Sequence, residues 1–236
     1  MLPLQDLFSQ LDEALNINSS DSVFTDLYYT DLINEQRSLW IRNEYNKNRS
    51  IDPNVQQTIG DLELELVDPV ACCVTIPGTC KVLRSKVKLP NTIEFYSWKG
   101  ITSVGPVDIS KKRFTMIDYG RVPYIGTGRV VKKTVYTFLY DQYLYIVSAD
   151  PTILSLRHVN VRGLFEDPTA IGEFCTCTGV PCWDPRVDSY PMNLWMWAYV
   201  KNVIVQMLLQ KKTMPLDESN DNKDENINGA SGTQGR

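Results

Sequence analysis

The sequence predicts an α+β protein in which N- and C-terminal helices form a helical bundle and an antiparallel β domain is inserted between them. Apolar residues recur at helical spacing near the N-terminus, at strand spacing through the middle, and at helical spacing again near the C-terminus. We therefore divide the chain into an N-terminal helical part (1–61), an inserted β domain (62–168), a loop with a C-terminal helix that returns to the bundle (169–214), and a polar extended tail (215–236).

Two helices are predicted in the N-terminal part. Apolar side chains at positions 4, 7, 8, 11 and 15 follow the spacing of a short amphipathic helix. A second helix, from about Phe24 to Asn48, has a broad apolar stripe and a narrower apolar strip, so it needs more than one neighbour. Asp52 followed by Pro53 provides an N-cap and a first helical residue, which predicts a further short helix. The stripe comprises Tyr28, Tyr29, Leu32, Ile33, Leu39 and Trp40, and the strip Leu27, Ile41 and Tyr45.

The β domain is predicted from short β-branched or aromatic segments bounded by Pro, Gly and Asn. TVYTFLY (134–140) and YLYIVS (143–148) are separated only by Asp141 and Gln142, which predicts a two-residue hairpin. The other predicted strands are KVLRSKVKL (81–89), TIEFYSW (92–98), RFTMIDY (113–119), VPYI (122–125) and ILSLRHVNVRGLF (153–165).

The C-terminal segment YPMNLWMWAYVKNVIVQMLLQKK (190–212) is apolar around most of its circumference, as expected for a helix buried between other helices. We expect it to pack on the 26–48 helix, with Trp195, Trp197 and Leu208 largely buried. The tail after Pro215 is polar and cannot bury enough apolar surface to offset the entropy of ordering. We therefore expect the tail to run as an extended arm along another chain.

Composition argues against several functions. The net charge is −4, with 28 acidic and 24 basic residues, so no overall basic field attracts nucleic acid. The single histidine, His158, leaves little room for imidazole catalysis, and its position among apolar neighbours in a predicted strand is typical of a structural histidine.

No signal peptide or membrane anchor is predicted, because the N-terminus lacks a basic region and the apolar stretch 194–209 contains Lys201, Asn202 and Gln206. Assembly is expected in a cytoplasm.

Six cysteines lie in two clusters, ACCVTIPGTC (71–80) and FCTCTGVPCW (174–183). Their spacings differ from the CxxC pair that places two thiolates on one zinc ion. Without an export signal, we expect reduced thiols and no stoichiometric metal. A metal or a disulfide stays open if the two clusters meet.

Other motifs have an ordinary structural interpretation. GTGR (126–129) lacks the third glycine of a dinucleotide-binding loop. Glu63 and Glu65 share one face of a predicted strand, and a solvated face is more common there than a glycosidase pair. Three basic runs are interpreted first as protection of edge strands and second as phosphate contacts. They are Lys81, Arg84, Lys86 and Lys88; Lys111, Lys112 and Arg113; and Arg129, Lys132 and Lys133. The sequence predicts no catalytic, metal-binding or cofactor-binding residue.

Five segments together resemble a structural protein of crAss-like tailed phages: INEQRSLWIRNEYNKNRSIDP (33–53), LELELVDPVACC (62–73), KVLRSKVKLP (81–90), GLFEDP (163–168) and YPMN (190–193). The resemblance covers most of residues 26 to 215. Helices with an inserted β domain and a flexible C-terminal arm are also similar to the adaptor proteins under the portal of other short-tailed phages.

The resemblance implies a virion protein, a ring subunit of the head-to-tail connector that links portal to tail and forms part of the DNA channel. It implies a homo-oligomeric ring of roughly twelve subunits, closed by one face of each copy meeting a different face of the next. The implied partners are the portal, other tail or ring proteins, and double-stranded DNA that passes without sequence-specific contact.

Under this resemblance, LINEQRSLWIRNEYNKNRS (32–50) is a subunit contact rather than an active site. The candidate inter-subunit contacts are Arg37, Trp40, Arg42, Glu44 and Tyr45. Two other classes stay open. One is a receptor-binding or head-decoration β module, whose aromatic residues suit carbohydrate stacking. The other is a virion-borne hydrolase, which the lone histidine disfavours, so we expect no enzyme.

Overall fold

Helices and strands are combined in this chain as the α+β prediction requires. A computed structural model describes residues 2–15, 24–47, 52–68, 81–96, 100–108, 110–125, 134–174, 179, 181–184 and 187–213. The α-helices are α1 (Leu4–Leu15), α2 (Asp26–Asn46) and α3 (Leu194–Thr213). The strands are β1 (Gln57–Val67), β2 (Val82–Ser85), β3 (Ile101–Pro106), β4 (Thr115–Met116), β5 (Tyr136–Tyr140), β6 (Tyr143–Val147) and β7 (His158–Gly163). Short 3-10 helices span Pro53–Val55, Tyr119–Tyr124, Pro151–Ser155 and Thr169–Glu173.

The seven strands form one sheet in the order β3-β7-β1-β2-β6-β5-β4. Neighbouring strands are antiparallel, except that the two residues of β4 run parallel to β5. The two edges of the sheet approach each other, because the N–H of Phe114 donates to the carbonyl of Val104 at 2.8 Å. The sheet is therefore nearly closed.

The two faces of the sheet carry different cores, as the alternation of side chains along a strand requires. Leu83 of β2 and Ile146 of β6 belong to the main core, which also contains buried residues of all three α-helices. Their neighbours Val82 and Tyr145 point the other way, into a smaller cluster with Phe138. Helices α2 and α3 contact each other, as predicted, and α1 contacts α3. A helical bundle distinct from the sheet stays a prediction, since the helices share one core with the strands.

The predicted apolar faces of the helices are partly right. All five predicted positions of α1 are buried. In α2, Ile41 is 1% exposed although the pattern assigns it to the narrower strip, whereas Leu39 is 44% exposed. In α3, Trp197 and Leu208 are buried as predicted, but Trp195 is 61% exposed. The prediction for Trp195 was wrong because a helix that is apolar all round gives no signal of which side meets the core.

Several segments with a strand pattern adopt other structures. The first three residues of VPYI lie in the 3-10 helix Tyr119–Tyr124, and Ile125 is its C-cap, so this segment is not a strand. TIEFYSW forms no ladder in the part described; Thr92 makes an isolated bridge to Phe165, and Tyr96 is 98% exposed. The strand in KVLRSKVKL ends at Ser85, and the one in ILSLRHVNVRGLF begins at His158. Apolar alternation continues past the ends of the real strands because loop side chains also pack on the core.

Local signals at two turns are confirmed. The Asp52 side chain accepts a hydrogen bond from the Asn54 N–H at 2.8 Å and caps the 3-10 helix Pro53–Val55. Asp141 and Gln142 connect β5 to β6 with φ angles of 49° and 64°. Positive φ at both central residues is the geometry that matches the twist of a two-residue hairpin.

The left-handed backbone at Gln142 predicts how two substitutions there change the free energy of unfolding. Both Gln142→Gly and Gln142→Ala lose the side-chain contact with Asn91, but only alanine keeps a Cβ that crowds the backbone at φ 64°. We expect the glycine variant to be more stable than the alanine variant by about 1 kcal/mol in urea unfolding. At the exposed strand residue Thr58 the order should reverse. Equal stabilities at Gln142 would contradict the turn.

Candidate functional site

Helix α2 is held in place by Arg37, which is fully buried. Its Nε donates to the Pro191 carbonyl at 2.9 Å, Nη1 to the Phe165 carbonyl at 2.9 Å, and Nη2 to the Val55 carbonyl at 3.2 Å. These acceptors lie just before α3, just after β7, and in the 3-10 helix that follows α2. One side chain therefore ties α2 to three other parts of the fold.

The positive charge of Arg37 is stabilised without a direct salt bridge to any residue that the structure describes. The guanidinium carbon lies 5.9 Å from the ring centroid of Tyr190. The Tyr190 hydroxyl donates to Asn34 Oδ1 at 2.6 Å, and Asn34 Nδ2 donates to Asp167 Oδ1 at 3.0 Å. Burial lowers the pKa of Arg37, with Tyr190 and Asp167 opposing that shift, and burial raises the pKa of Tyr190. The buried unit is thus a guanidinium and a neutral phenol, connected through Asn34 to a carboxylate.

Arg37, one of the predicted inter-subunit contacts, is enclosed by its own chain, and its guanidinium is not at the surface. Its contact with a second subunit stays a prediction. The sequence contained a signal for this position: Arg37 stands in the i, i+4 row between Ile33 and Ile41, and both of these are buried. A charged residue inside an apolar row predicts a buried, hydrogen-bonded group.

An acidic groove of about 480 Å³ runs along the outer side of α2. Its charged groups are five carboxylates and the guanidinium of Arg42. Asp167 is engaged internally by Asn34 and Thr169. The remaining four carboxylates have no hydrogen-bond or ion-pair partner in the part of the chain that the structure describes. The lining residues are Asp31, Asn34, Glu35, Ser38, Leu39, Arg42, Ile93, Glu94, Glu166 and Asp167.

Beside the groove stands an aromatic ridge formed by Trp40, Trp195 and Tyr199. The rings of Trp40 and Trp195 meet edge to face, with centroids 4.8 Å apart and planes at 75°. Trp195 is 61% exposed and Tyr199, one turn further along α3, is 59% exposed. Leu39 lines the groove and directly precedes Trp40, so the groove and the ridge adjoin. Together they make an apolar strip beside a charged depression.

The other predicted contact residues occupy different environments. Arg42 is exposed and lines the acidic groove. The Glu44 side chain is 13% exposed and forms an ion pair with Lys47 at 3.0 Å. Tyr45 is half-buried, with its ring centroid 4.5 Å from that of Phe95. Trp40 and Arg42 thus reach the outer surface, while Glu44 and Tyr45 are engaged within the chain. Contact of these four residues with a second subunit stays a prediction.

Charged residues around β2 pair with one another. The partners are Glu63 with Lys86 at 2.9 Å, Glu65 with Arg84, and Lys88 with Asp141 at 3.1 Å. The hydrogen bond from Lys86 lowers the pKa of Glu63. This agrees with a solvated strand face for the two glutamates. The edge-strand interpretation of Arg84 was wrong, because β2 lies between β1 and β6.

A second depression, the β7 cleft, opens at the beginning of β7 and has a volume of about 610 Å³. His158 lies there, 48% exposed, with its Nδ1 2.7 Å from Asp61 Oδ1. Such a pair is an ion pair when the imidazole is protonated. The rest of the cleft is lined by Pro106, Val107, Thr152, Ile153, Ser155, Leu156 and Arg157.

Other sequence predictions concern metals, membranes and parts of the chain that the structure does not describe. In the described ranges, no group of three or more His, Cys, Asp or Glu side chains is placed to hold a metal ion. None of the described helices is long and apolar enough to cross a membrane. Cys182 is half-buried. The other five cysteines, GTGR (126–129) with Arg129, Lys132 and Lys133, and the tail 215–236 lie outside the described residues.

An exposed aromatic ridge next to partnerless charges is typical of a surface that binds another protein. The chain matches the family model described as phage tail ring protein 2 over residues 9–226. It therefore belongs to this family of phage tail ring proteins, and the resemblance to crAss-like phage ring proteins is confirmed. As a member of that family it is a component of the virion tail. No curated protein matches the chain.

The role of Arg37 gives a stability prediction with a control on the same helix. Arg37→Lys leaves one ammonium where three carbonyls need donors in three directions, so we expect a loss of about 2–4 kcal/mol. Arg42→Lys, at an exposed position, should change stability by less than about 0.5 kcal/mol. Urea unfolding measures both. Equal effects would mean that the buried network does not hold α2.

Proposed function

We propose that this protein is a ring subunit of the head-to-tail connector, linking the portal to the rest of the tail and enclosing part of the DNA channel. The support is membership of the tail ring family, together with the protein-binding character of the surface on α2 and α3. A virion ring needs the same strong contact repeated at every subunit boundary. Roughly twelve copies would match the symmetry that the family resemblance implies.

The observation that carries the proposal is the exposed aromatic ridge. Tryptophan and tyrosine dominate the energetics of protein interfaces when they are buried by a partner. Trp195 and Tyr199 are each more than half exposed, whereas Trp197 and Leu208 on the inner face of α3 are buried. Leaving two such side chains in water is unfavourable, and a neighbouring subunit that covers them removes that cost. Ring assembly is therefore the function that this surface supports best.

The charge of the chain suits a DNA channel that holds its cargo loosely. A net charge of −4 gives no general attraction to phosphate. DNA must pass through a tail during ejection, and a strongly basic wall would retain it. In this proposal the duplex contacts the ring without sequence specificity, and the polar tail 215–236 extends along a neighbouring chain to strengthen ring closure.

A substitution of the ridge tests the assembly role. Trp195→Ala combined with Tyr199→Ala removes mostly exposed side chains and one ring contact, with Trp40, so the purified variant should keep its melting temperature within about 5 °C. In host cells that supply the variant in place of the natural chain, we expect at least about a tenfold loss of the chain from purified particles.

The matched control is Tyr96→Ala, which removes an aromatic side chain that is 98% exposed and lies outside the ridge. We expect this control to enter particles at the natural level. If the ridge variant also enters particles normally, the ridge is not a ring contact, and its exposure needs another explanation.

A further inference from the structure

Acidic and basic surfaces lie at opposite ends of β7. The strand begins at His158 in the β7 cleft, where Val159 pairs with Pro106 of β3. It ends next to the acidic groove, because Glu166, three residues beyond the strand, lines that groove. At roughly 3.3 Å per residue, β7 itself extends about 17 Å from His158 to Gly163. The two depressions therefore lie at opposite ends of this strand.

Basic residues outnumber acidic ones at the β7 cleft. Arg157 lines the cleft, and the turn 108–113, which directly follows the lining residue Val107, carries three basic residues: Lys111, Lys112 and Arg113. The side chains of Lys112 and Arg157 are exposed and have no partner in the described part of the chain. The acid in this turn, Asp108, accepts hydrogen bonds from the Ser110 N–H at 2.9 Å and the Ser110 hydroxyl at 2.7 Å and keeps its negative charge. The carboxylate at the base, Asp61, faces His158. Four basic residues against the two carboxylates of Asp61 and Asp108 leave an excess of positive charge among the described residues at this end.

The acidic groove has the opposite balance. Asp31, Glu35, Glu94 and Glu166 are exposed carboxylates without partners among the described residues, and Arg42 is the cation among them. Each subunit therefore presents an excess of negative charge on one side and unpaired positive charge on the other. A chain that meets copies of itself head to tail brings these two surfaces together.

Resting on the proposed ring function, we propose that the β7 cleft of one copy docks against the acidic groove of the next, and that this contact repeats around the ring. The occupant of each surface is a second copy of this chain. The cations Lys112 and Arg157 then face Glu35 and Glu94, and the neighbouring ridge packs beside the apolar lining of the cleft. Charge complementarity fixes the direction of the contact and steers assembly.

Charge reversal on each side separates this arrangement from other contacts. The groove variant carries Asp31→Lys, Glu35→Lys and Glu94→Lys, which changes the charge of the groove lining from −4 to +2 and so makes both surfaces of the subunit basic. The cleft variant carries Lys112→Glu and Arg157→Glu, which makes both surfaces acidic. All five positions are exposed, so each purified variant should melt within about 2 °C of the natural chain. Neither variant can complement itself, but each complements the other in an alternating ring.

The experiment supplies the natural chain, either variant, or both variants together to a phage that lacks its own copy of the gene. Each variant alone should lower the amount of chain in purified particles and the infectious titre by at least about tenfold. Coexpression should restore both quantities to within about threefold of the natural chain. Failure of coexpression to rescue, or normal particles with either variant alone, would overturn the docking arrangement.

Detection of the natural chain in purified particles distinguishes a failure of the docking proposal from a failure of the ring proposal. If it is present in particles as a ring while the reversed variants behave normally, the docking surfaces are misassigned and the ring function stands. If the natural chain is absent from purified particles, the proposed ring function itself fails, whatever the variants do.

Discussion

A single guanidinium in the interior fixes α2 against three distant parts of the chain. The carbonyls that accept from Arg37 belong to residues 18, 128 and 154 positions away. Because α2 carries one wall of the acidic groove and one member of the aromatic ridge, the placement of Arg37 decides the shape of the candidate interface. The outer surface of α2 is available to partners because its inner surface is secured by this network.

Burying a charge is costly, and the structure shows how the cost is offset. Three charge-assisted hydrogen bonds use the planar fork of the guanidinium, and the Tyr190 ring lies close to its positive charge. A lysine ammonium carries its three donors on one nitrogen, so it cannot reach three carbonyls that are arranged around the three separate nitrogens of a guanidinium. The same network continues through Asn34 to Asp167 at the floor of the groove. Core packing and the candidate interface are therefore physically connected.

The sequence predicted correctly those elements that depend on residues close together in the chain. The apolar spacing of α1, the Asp52 cap and the Asp141–Gln142 turn depend on residues a few positions apart, and the structure confirms them. The central position of β2 could not be predicted from its own residues, since it depends on pairing with β1 and β6. The outward direction of Trp195 was likewise decided by tertiary packing of a helix that is apolar all round. The family was predicted from segments spread over most of the chain, and the match over residues 9–226 confirms it.

The candidate site was predicted in part. Trp40 and Arg42 reach the surface, where the ridge and the groove lie. Arg37 is buried instead, because its guanidinium donates to carbonyls of residues outside α2. A helical wheel of α2 does not include those residues. Glu94 and Glu166 come from segments far from α2 in sequence and join it only in the folded chain. A charged depression built from three separate segments has no signature in any one of them.

Electron cryo-microscopy of the intact virion would show directly whether this chain forms a ring. We expect a closed ring of this chain between the portal and the rest of the tail, with the α2–α3 ridge covered by an adjacent subunit and the β7 strands pointing from one copy toward the next. A reconstruction in which this chain forms no ring, or in which Trp195 and Tyr199 remain exposed to solvent between subunits, would contradict this expectation.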